Sequence, residues 1–559
     1  MTQNKYVCGF DFGTLSCRLI VCDLSDGKAV FENSVEYSDG VITEKLPDSD
    51  VRLGSNWALQ NPDDYINAMT ELMRQASEKI DLKNITAIGT DFTNCSVVAI
   101  DNNGNPLCSN KKYRNNPHSW VKLWKHHAAQ VYAERIEKQL RDSHTEWFDE
   151  YGDNVSSEWF FPKVLQVYEE ARDIFDAAYA FIECADYITL FLTGKIVRNS
   201  ATLGVNSFYD RGRGFPSKEF LNSLSEGFAD GIYPKLCGDI KPVGSRAGTL
   251  CDAAAKRLGL NSDVAVAVGH GDSEVAAAGL GITEPGSMLM VMGTSSCYQM
   301  IHTEKVPCRG VCAIVQDGMI PGLVAYESGQ PAVGDAFAWY ANNAMPASYV
   351  DAADKCGLSR LAYMDKKAAE LNAGESGLVS LDWFNGNRSV LMDYNLTACF
   401  AGLTLASKPE GIYRSMIEAT AFGARRIFES YAEAKVAIKR VYALGGLSHK
   451  SPLTMQIYAD ILGMPIEVTS IPNACSFGAC ICGAVARENE IGTREAFAEV
   501  CGRMVHFDTE IYYPDSGAVR IYNKLYSVFC ELHDFAGRHS NICTDLTRIQ
   551  QASKTAFEQ

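Results

Sequence analysis

Two stretches about half a chain apart share one layout, and that duplication restricts the fold more than any single motif. Tyr6-Val-Cys-Gly-Phe-Asp-Phe12 is an apolar run closed by Gly13-Thr14, and Cys17-Arg-Leu-Ile-Val-Cys-Asp23 follows it. Ser287-Met-Leu-Met-Val-Met292 is closed by Gly293-Thr-Ser-Ser296, and Cys297-Tyr-Gln-Met-Ile301 follows. Each copy reads as a strand, a small-residue turn and a returning strand. A repeated supersecondary unit predicts two related halves. The boundary is expected near residues 281–285, where Gly279, Gly281, Pro285 and Gly286 interrupt a helical run. The expected units are residues 1–283 and 284–540, with 541–559 a polar helix end and loose tail.

Between the repeats, strands alternate with helices. Asn84-Ile-Thr-Ala-Ile-Gly-Thr-Asp91 and Cys95-Ser-Val-Val-Ala-Ile-Asp101 read as strands. Apolar residues recur at helical spacing after Pro62, and residues 118–195 read as mostly helical. Val264-Ala-Val-Ala-Val-Gly269 is a buried strand running into Gly271-Asp272 and an alanine-rich helix. The pattern is α/β. Length alone suggests roughly three or four domains for 559 residues, and the repeat reduces this to two large ones.

Charge excludes some partners. With Lys+Arg 51 and Asp+Glu 68 the net charge is −17, which argues against a general nucleic-acid or anionic-membrane binder. No stretch of about 18 residues is free of charged and strongly polar residues, and no basic-then-apolar leader opens the chain, so a soluble cytoplasmic protein is expected. The 19 cysteines are odd in number, scattered, and without a Cys-x-x-Cys pair, so they read as reduced apolar residues.

Neither Gly-x4-Gly-Lys-Ser/Thr nor a strand-borne Gly-x-Gly-x-x-Gly is present. A phosphate site built from hairpin turns is still available, because turn amides form an anion-binding concavity. Gly13 would permit the turn and the close approach of phosphate oxygens. Thr14 and Ser16 would add hydroxyls and Arg18 a cation. Asp11 is acidic and suits Mg²⁺ that bridges to phosphate. One such turn is usually an ordinary hairpin. The second, Gly293-Thr294-Ser295, favours a clamp on a triphosphate from both sides. Gly445-Gly446 fits either a flat ring lying on backbone or a plain strand-to-helix turn. Asp272, between glycines in Gly269-His-Gly-Asp-Ser273, fits a helix N-cap or a general base with cleared access. Glu327 fits a structural or a functional role equally. His126 and His127, read as a helix pair, face apart and have no third ligand, so packing or surface is expected.

As an ordered set, Asp11-Phe-Gly-Thr, Gly-His-Gly-Asp272, Gly293-Thr-Ser and Gly445-Gly446 resemble the FGGY carbohydrate kinases over nearly the whole chain. Gly402-Leu-Thr-Leu with Ile412-Tyr-Arg-Ser-Met-Ile-Glu-Ala-Thr-Ala-Phe422 is similar to that family's second conserved block. Thr90-Asp-Phe-Thr-Asn-Cys95, Leu123-Trp-Lys-His-His127, Ser156-Ser-Glu-Trp-Phe160 and Leu381-Asp-Trp-Phe-Asn-Gly-Asn-Arg388 resemble its ribulokinase branch. The resemblance implies a duplicated actin-like, hexokinase-like fold with a cleft between two α/β halves, sugar on the first and ATP–Mg²⁺ against the second. It implies ATP-dependent phosphorylation of a ketopentose at O5, L-ribulose before D-ribulose, xylulose or another polyol. A non-catalytic sugar sensor on the same fold is the alternative from another class. By the same resemblance Asp272 is the base and, with Asp11, the metal-side carboxylate. Gly13, Thr14, Gly293 and Thr294 meet phosphates, with Ser16, Arg18 and Ser295 beside them. Gly445, Gly446 and Lys450 meet the nucleoside, and Asn94, Asn206 and Glu327 the sugar. Asn206 stands where the branch usually has a Lys, which removes a charge from the pocket, and Lys163-Val-Leu-Gln166 ends in Gln where the family often has Trp. Relatives are often dimers, so a homodimer is the expected assembly.

Overall fold

The apolar run before Gly13 forms strand β1 (Tyr6–Phe12), and the run after it returns antiparallel as β2 (Ser16–Asp23), followed by β3 (Ala29–Glu36). The computed structural model describes residues 5–143, 150–151, 155–471 and 473–557. Strand β4 (Ile85–Phe92) lies parallel to β1, β5 (Arg246–Thr249) and β6 (Ala265–Ala267) extend the sheet, and β7 (His270–Gly271) pairs with the end of β4. The order is β5-β6-β4-β1-β2-β3. Strands β1 and β4 are almost wholly buried, as central strands covered on both faces must be, which explains their unbroken apolar runs.

The second half repeats this arrangement with one further edge strand. Its sheet contains β8 (Ser287–Met292), β9 (Ser296–His302), β10 (Ala313–Gln316), β11 (Val324–Gln330), β12 (Arg440–Leu444), β13 (Ile466–Thr469) and β14 (Thr509–Tyr512), in the order β10-β11-β9-β8-β12-β13-β14. In the first sheet three antiparallel strands, and in the second four because β10 is added at the edge, lead into two parallel ones and end on an antiparallel edge. The chain passes between the sheets through Gly281 and Gly286, both with φ in the left-handed region.

Five helices matter for the site and its support: α1 (Ser200–Asn206), α2 (Asp272–Gly279), α3 (Pro409–Glu433), α4 (Ala474–Glu488) and α5 (Ser516–Asp534). Although α4 lies in the second half of the chain, it packs on the first sheet. A Cβ on Gly9 would stand 1.9 Å from the Ser476 carbonyl oxygen, and one on Gly89 1.8 Å from that of Ala479. The crossing with α2 is equally close: a Cβ on Gly478 would stand 2.1 Å from the Val275 carbonyl oxygen, and one on Gly279 2.3 Å from that of Ala474. These four positions admit only hydrogen, so the two halves meet backbone to backbone.

Two local expectations change. His126 and His127 lie in a loop after the short strand Val121–Lys122, not on a helix. His126 is buried against Gln166 Oε1 at 2.9 Å, so its role is packing, while His127 is exposed at the surface beside Ser157. The segment read as a loose tail is helical over Ile542–Phe557, with Cys543 buried in the core of the second half; residues 558–559 lie outside the described residues.

Candidate active site

The parallel strands β1, β4 and β7 end side by side, and each delivers an acid to the same edge. Asp11 is paired in register with Asp91, and Asp91 with His270, so Asp272 follows one turn beyond. Ligands of open α/β sheets gather at such carboxyl ends. Asp272 is the first residue of α2, and the cap position belongs to Gly271. Its Oδ1 accepts the amide of Ser273 at 2.8 Å, while burial and the charge of Asp11 push its carboxyl up to about 7. Asp91, which sequence reasoning left out of the site, is fully buried with neither carboxylate oxygen partnered. Burial, then Asp11 and Asp272, holds its carboxyl well above the usual range. Its signal was its place in Thr90-Asp-Phe-Thr-Asn-Cys95, one register step from Asp11.

The two hairpin turns have matching geometry. The amide of Gly13 donates to the Ser16 carbonyl at 3.0 Å, and that of Gly293 to the Ser295 carbonyl at 2.8 Å. Neither glycine has a positive φ, so neither turn needs glycine for its backbone, contrary to the reading of Gly13 as a turn residue. Nor are they crowded: a Cβ on Gly13 would meet only Ser16 O at 3.4 Å, and one on Gly293 only Ser295 O at 3.8 Å. Open space lies over both. Trp124 Nε1 donates to Thr14 Oγ1 at 3.1 Å and Gln60 Nε2 to Thr14 O at 2.7 Å, which fixes the first turn. The N-terminus of the helix Gly334–Asn343 holds the second through amides of Gly334 and Asp335. Gly293, Thr294 and Ser295 are exposed and Ser16 is half-buried. Arg18 is not a free cation: its Nη1 lies 3.0 Å from Asp11 Oδ2.

Gly445 has φ +105°, and a Cβ there would stand 2.3 Å from the Met292 carbonyl oxygen, so the glycine pair lies directly beside the second hairpin. Gly446 faces open space, and Lys450 is exposed at the end of a five-residue helix.

The sugar-side residues form two layers. Asn94 Nδ2 donates to Glu274 Oε2 at 2.6 Å, and Ser273 Oγ to the same oxygen at 2.9 Å. A Cβ on Gly271 would collide with both Asn94 and Glu274, at 2.2 Å and 2.4 Å. Gly271 therefore makes room for that pair, and Gly269 for the Ala185 carbonyl, where the sequence suggested space cleared around Asp272. Glu327 is bound to the guanidinium of Arg388, a residue of the Leu381–Arg388 motif whose role sequence reasoning missed. Asn206 lies a layer behind: it is fully buried, with Nδ2 on Cys95 Sγ at 3.7 Å and Oδ1 accepting from Ser207 Oγ. Lys163 is buried beside it, donating to the carbonyls of Cys95 and Leu123.

Paired hairpins, a carboxylate triplet and a glycine pair on a duplicated sheet agree with the comparisons with known proteins. The N-terminal domain model of the FGGY family of carbohydrate kinases matches residues 6–279, and the C-terminal domain model matches residues 288–487.

The chain belongs to the FGGY family of carbohydrate kinases.

FGGY members are sugar kinases that use ATP. The chain is 40% identical over 540 residues to a ribulokinase from Halalkalibacterium halodurans, covering 96% of each. It is 41% identical over 558 residues to a ribulokinase from Geobacillus thermodenitrificans, covering 99% of each. Among solved structures, xylulose kinase from Rhodospirillum rubrum superposes with a TM-score of 0.76 at 21% identity, over 95% of this chain and 98% of that one. Plasmodium falciparum glycerol kinase with ADP gives a TM-score of 0.74 at 16% identity, over 94% and 98%. These structural likenesses establish the actin-like two-domain fold of FGGY kinases. Among the described residues no helix is long and apolar enough to cross a membrane.

Proposed function

We propose that the protein transfers the γ-phosphoryl group of ATP to the terminal O5 hydroxyl of a ketopentose, L-ribulose in the first place. The observation that carries this is Asp272, at the mouth of the first sheet with its carboxyl near neutrality, beside a Gly-Thr hairpin that a second hairpin duplicates. Relatives at about 40% identity over nearly the full length, named ribulokinases, support the choice of sugar.

A sugar hydroxyl is a weak nucleophile, and phosphoryl transfer depends on in-line placement and charge stabilisation. Asp272 takes the O5 proton as the O5–P bond forms and the bond to ADP breaks. A base whose affinity for protons lies near the working pH suits this task. The amides and hydroxyls at Thr14, Thr294 and Ser295 hold the phosphates, while Gly13 and Gly293, whose own amides close the turns, leave the open space that phosphate oxygens need. Ser16 supports the first turn, and Arg18 acts through Asp11. Gly445 and Gly446 take the adenosine, with Lys450 at the rim. Asn94 and Glu327 contact the ketose, and Asn206 steadies them from behind.

Mg²⁺ would be held by Asp11 and Asp272 together with phosphate. Among the described residues no group of three or more His, Cys, Asp or Glu forms a protein-only metal cage. That fits Mg²⁺, which usually takes one or two carboxylates plus substrate phosphates and water. When bound it would neutralise phosphate charge. All 19 cysteines are free thiols, which suits a reducing, cytoplasmic setting.

ADP release measured across L-ribulose, D-ribulose, the xyluloses and glycerol tests the proposal. Sugar-dependent ADP release highest with L-ribulose supports it. Turnover on glycerol alone, or release independent of any sugar, refutes it. A preference for D-ribulose or a xylulose corrects the sugar and keeps the chemistry.

A further inference from the structure

The first half contributes an acid that the catalytic scheme above does not use. Glu274 sits in the first turn of α2, two positions after Asp272, and is 4% exposed. One carboxylate oxygen, Oε2, is satisfied by Asn94 and Ser273. The other, Oε1, is buried without a partner. Facing it from the second half is Gln299 on β9, 2% exposed, with neither its amide nitrogen nor its oxygen partnered. Gln299 stands directly opposite Glu327 in the β9–β11 register, and Arg388 already occupies Oε1 of Glu327.

Glu274, Gln299 and Glu327 line one cavity of about 10 Å³, whose other walls, Val205, Ala313, Val315 and Met319 among them, are apolar. A hole of that size admits about one water molecule. It therefore also admits one hydroxyl group and no larger polar group. Buried donors and acceptors left without partners are costly, so such a site calls for an occupant. An occupant that can both donate and accept satisfies the free oxygen of Glu274 in either protonation state together with the Gln299 amide, which a hydroxyl does and a carboxylate cannot.

We infer that Glu274, acting with Gln299, is a specificity-determining residue of the acceptor site, holding one secondary hydroxyl of the sugar between the two halves. This rests on the kinase reading above and extends it. The geometry selects neutral ketoses or polyols with a hydroxyl at that position. It rejects sugars epimeric there and rejects sugar acids, whose carboxylate is larger than the cavity and cannot donate a hydrogen bond. Because donor and acceptor come from opposite halves, the correct hydroxyl also ties the halves together over the reacting groups.

The test compares steady-state kinetics of the wild type, Glu274→Gln and Gln299→Leu with L-ribulose, D-ribulose, L-xylulose and D-xylulose, which differ only in hydroxyl configuration. The wild type should discriminate strongly between epimers, since a site built around a buried hydroxyl bond rejects its absence far more than a hydrophobic pocket does. Each variant should raise KM for the preferred sugar by about tenfold or more and reduce the spread between best and worst epimer by a similar factor. KM for ATP should stay within about twofold, which a merely structural defect would not spare. If both variants keep the wild-type ranking and sugar KM, the inference is wrong. If Glu274→Gln fails to fold, Gln299→Leu decides alone, because its side chain belongs to the other sheet. A wild type inactive on every ketopentose overturns the kinase reading itself, and this inference with it.

Discussion

At the scale of single residues, the acids on the edge of the first sheet do different work because their surroundings differ. Asp11 is paired with Arg18, Asp91 is sealed without partners, and Asp272 is half-buried at a helix start. Replacing Asp272 by Asn should leave sugar binding intact and lower kcat by about 10²–10⁴-fold, the usual worth of general-base assistance. Equilibrium sugar binding and single-turnover rates check this; near-full turnover would remove Asp272 from the base role. A second acid gives a pH signature in stability. Asp382, buried beside Gln330, has its carboxyl raised to about 6 by burial, against a hydrogen bond from Gln330 that lowers it. Between about pH 4 and pH 6 the folded state keeps that proton and the unfolded state has lost it. The wild type therefore loses stability at this site as pH rises through that window. Asp382→Asn should match the wild type near pH 4 and exceed it by about 2 kcal/mol at pH 7. Urea unfolding at both values measures the gap, and a constant difference would show that titration of Asp382 is not its source. Of these residues, Asp11 and Asp272 were legible from their glycine-rich settings. Asp91 and Glu274 were not, because an acid inside a strand or helix looks ordinary until its neighbours are known.

At the scale of elements, apolar runs located the central strands of both sheets, since a buried strand needs a continuous apolar run, while β3, β5, β10, β13 and β14 toward the edges were not picked out. What they did not convey is where α4 goes. That helix falls between two strands of the second sheet in sequence and lies on the first sheet in space, because Gly9, Gly89 and Gly478 remove the side chains that would keep it off. Gly89→Ala should destabilise the protein by about 3 kcal/mol or prevent folding, as overpacking of a closed contact does. Gly502→Ala is the control: it is exposed on the helix Arg494–Met504 with nothing within 4 Å of a new Cβ. It should be neutral or stabilising by up to about 1 kcal/mol. Denaturation midpoints of the pair decide, and a wild-type midpoint for Gly89→Ala would mean the helix does not sit where described. The loop at His126 was misread as helix for a related reason. Its polar residues are recruited into the core by Gln166 and Lys163, from a helix some forty positions away.

At the scale of the whole molecule, thiol burial separates packing from chemistry. Cys356 is the exposed cysteine; the other eighteen are buried or half-buried, and none is in a disulfide. A thiol reagent on the native protein should consume about one equivalent in its fast phase, all 19 after denaturation, and Cys356→Ser should abolish that phase. Several fast equivalents would contradict the packing of both cores. The same scale shows what the duplicated hairpin implied. It led to two halves, and the six strands of the first sheet's path recur in the second in the same order and directions, with β10 added at the edge. The charge of −17 belongs to the surface, while the proposed phosphate site works through turn amides and hydroxyls.

The sequence alone determined the fold class, the twofold repeat, the hairpins and the acids at their ends, since these depend on local periodicity and turn chemistry. Only the tertiary structure decided which acids share an edge, that Arg18 is spent on Asp11, and that Glu274 and Gln299 meet across the cleft. These depend on strand register and on close approaches between residues distant in sequence, and no local pattern encodes either.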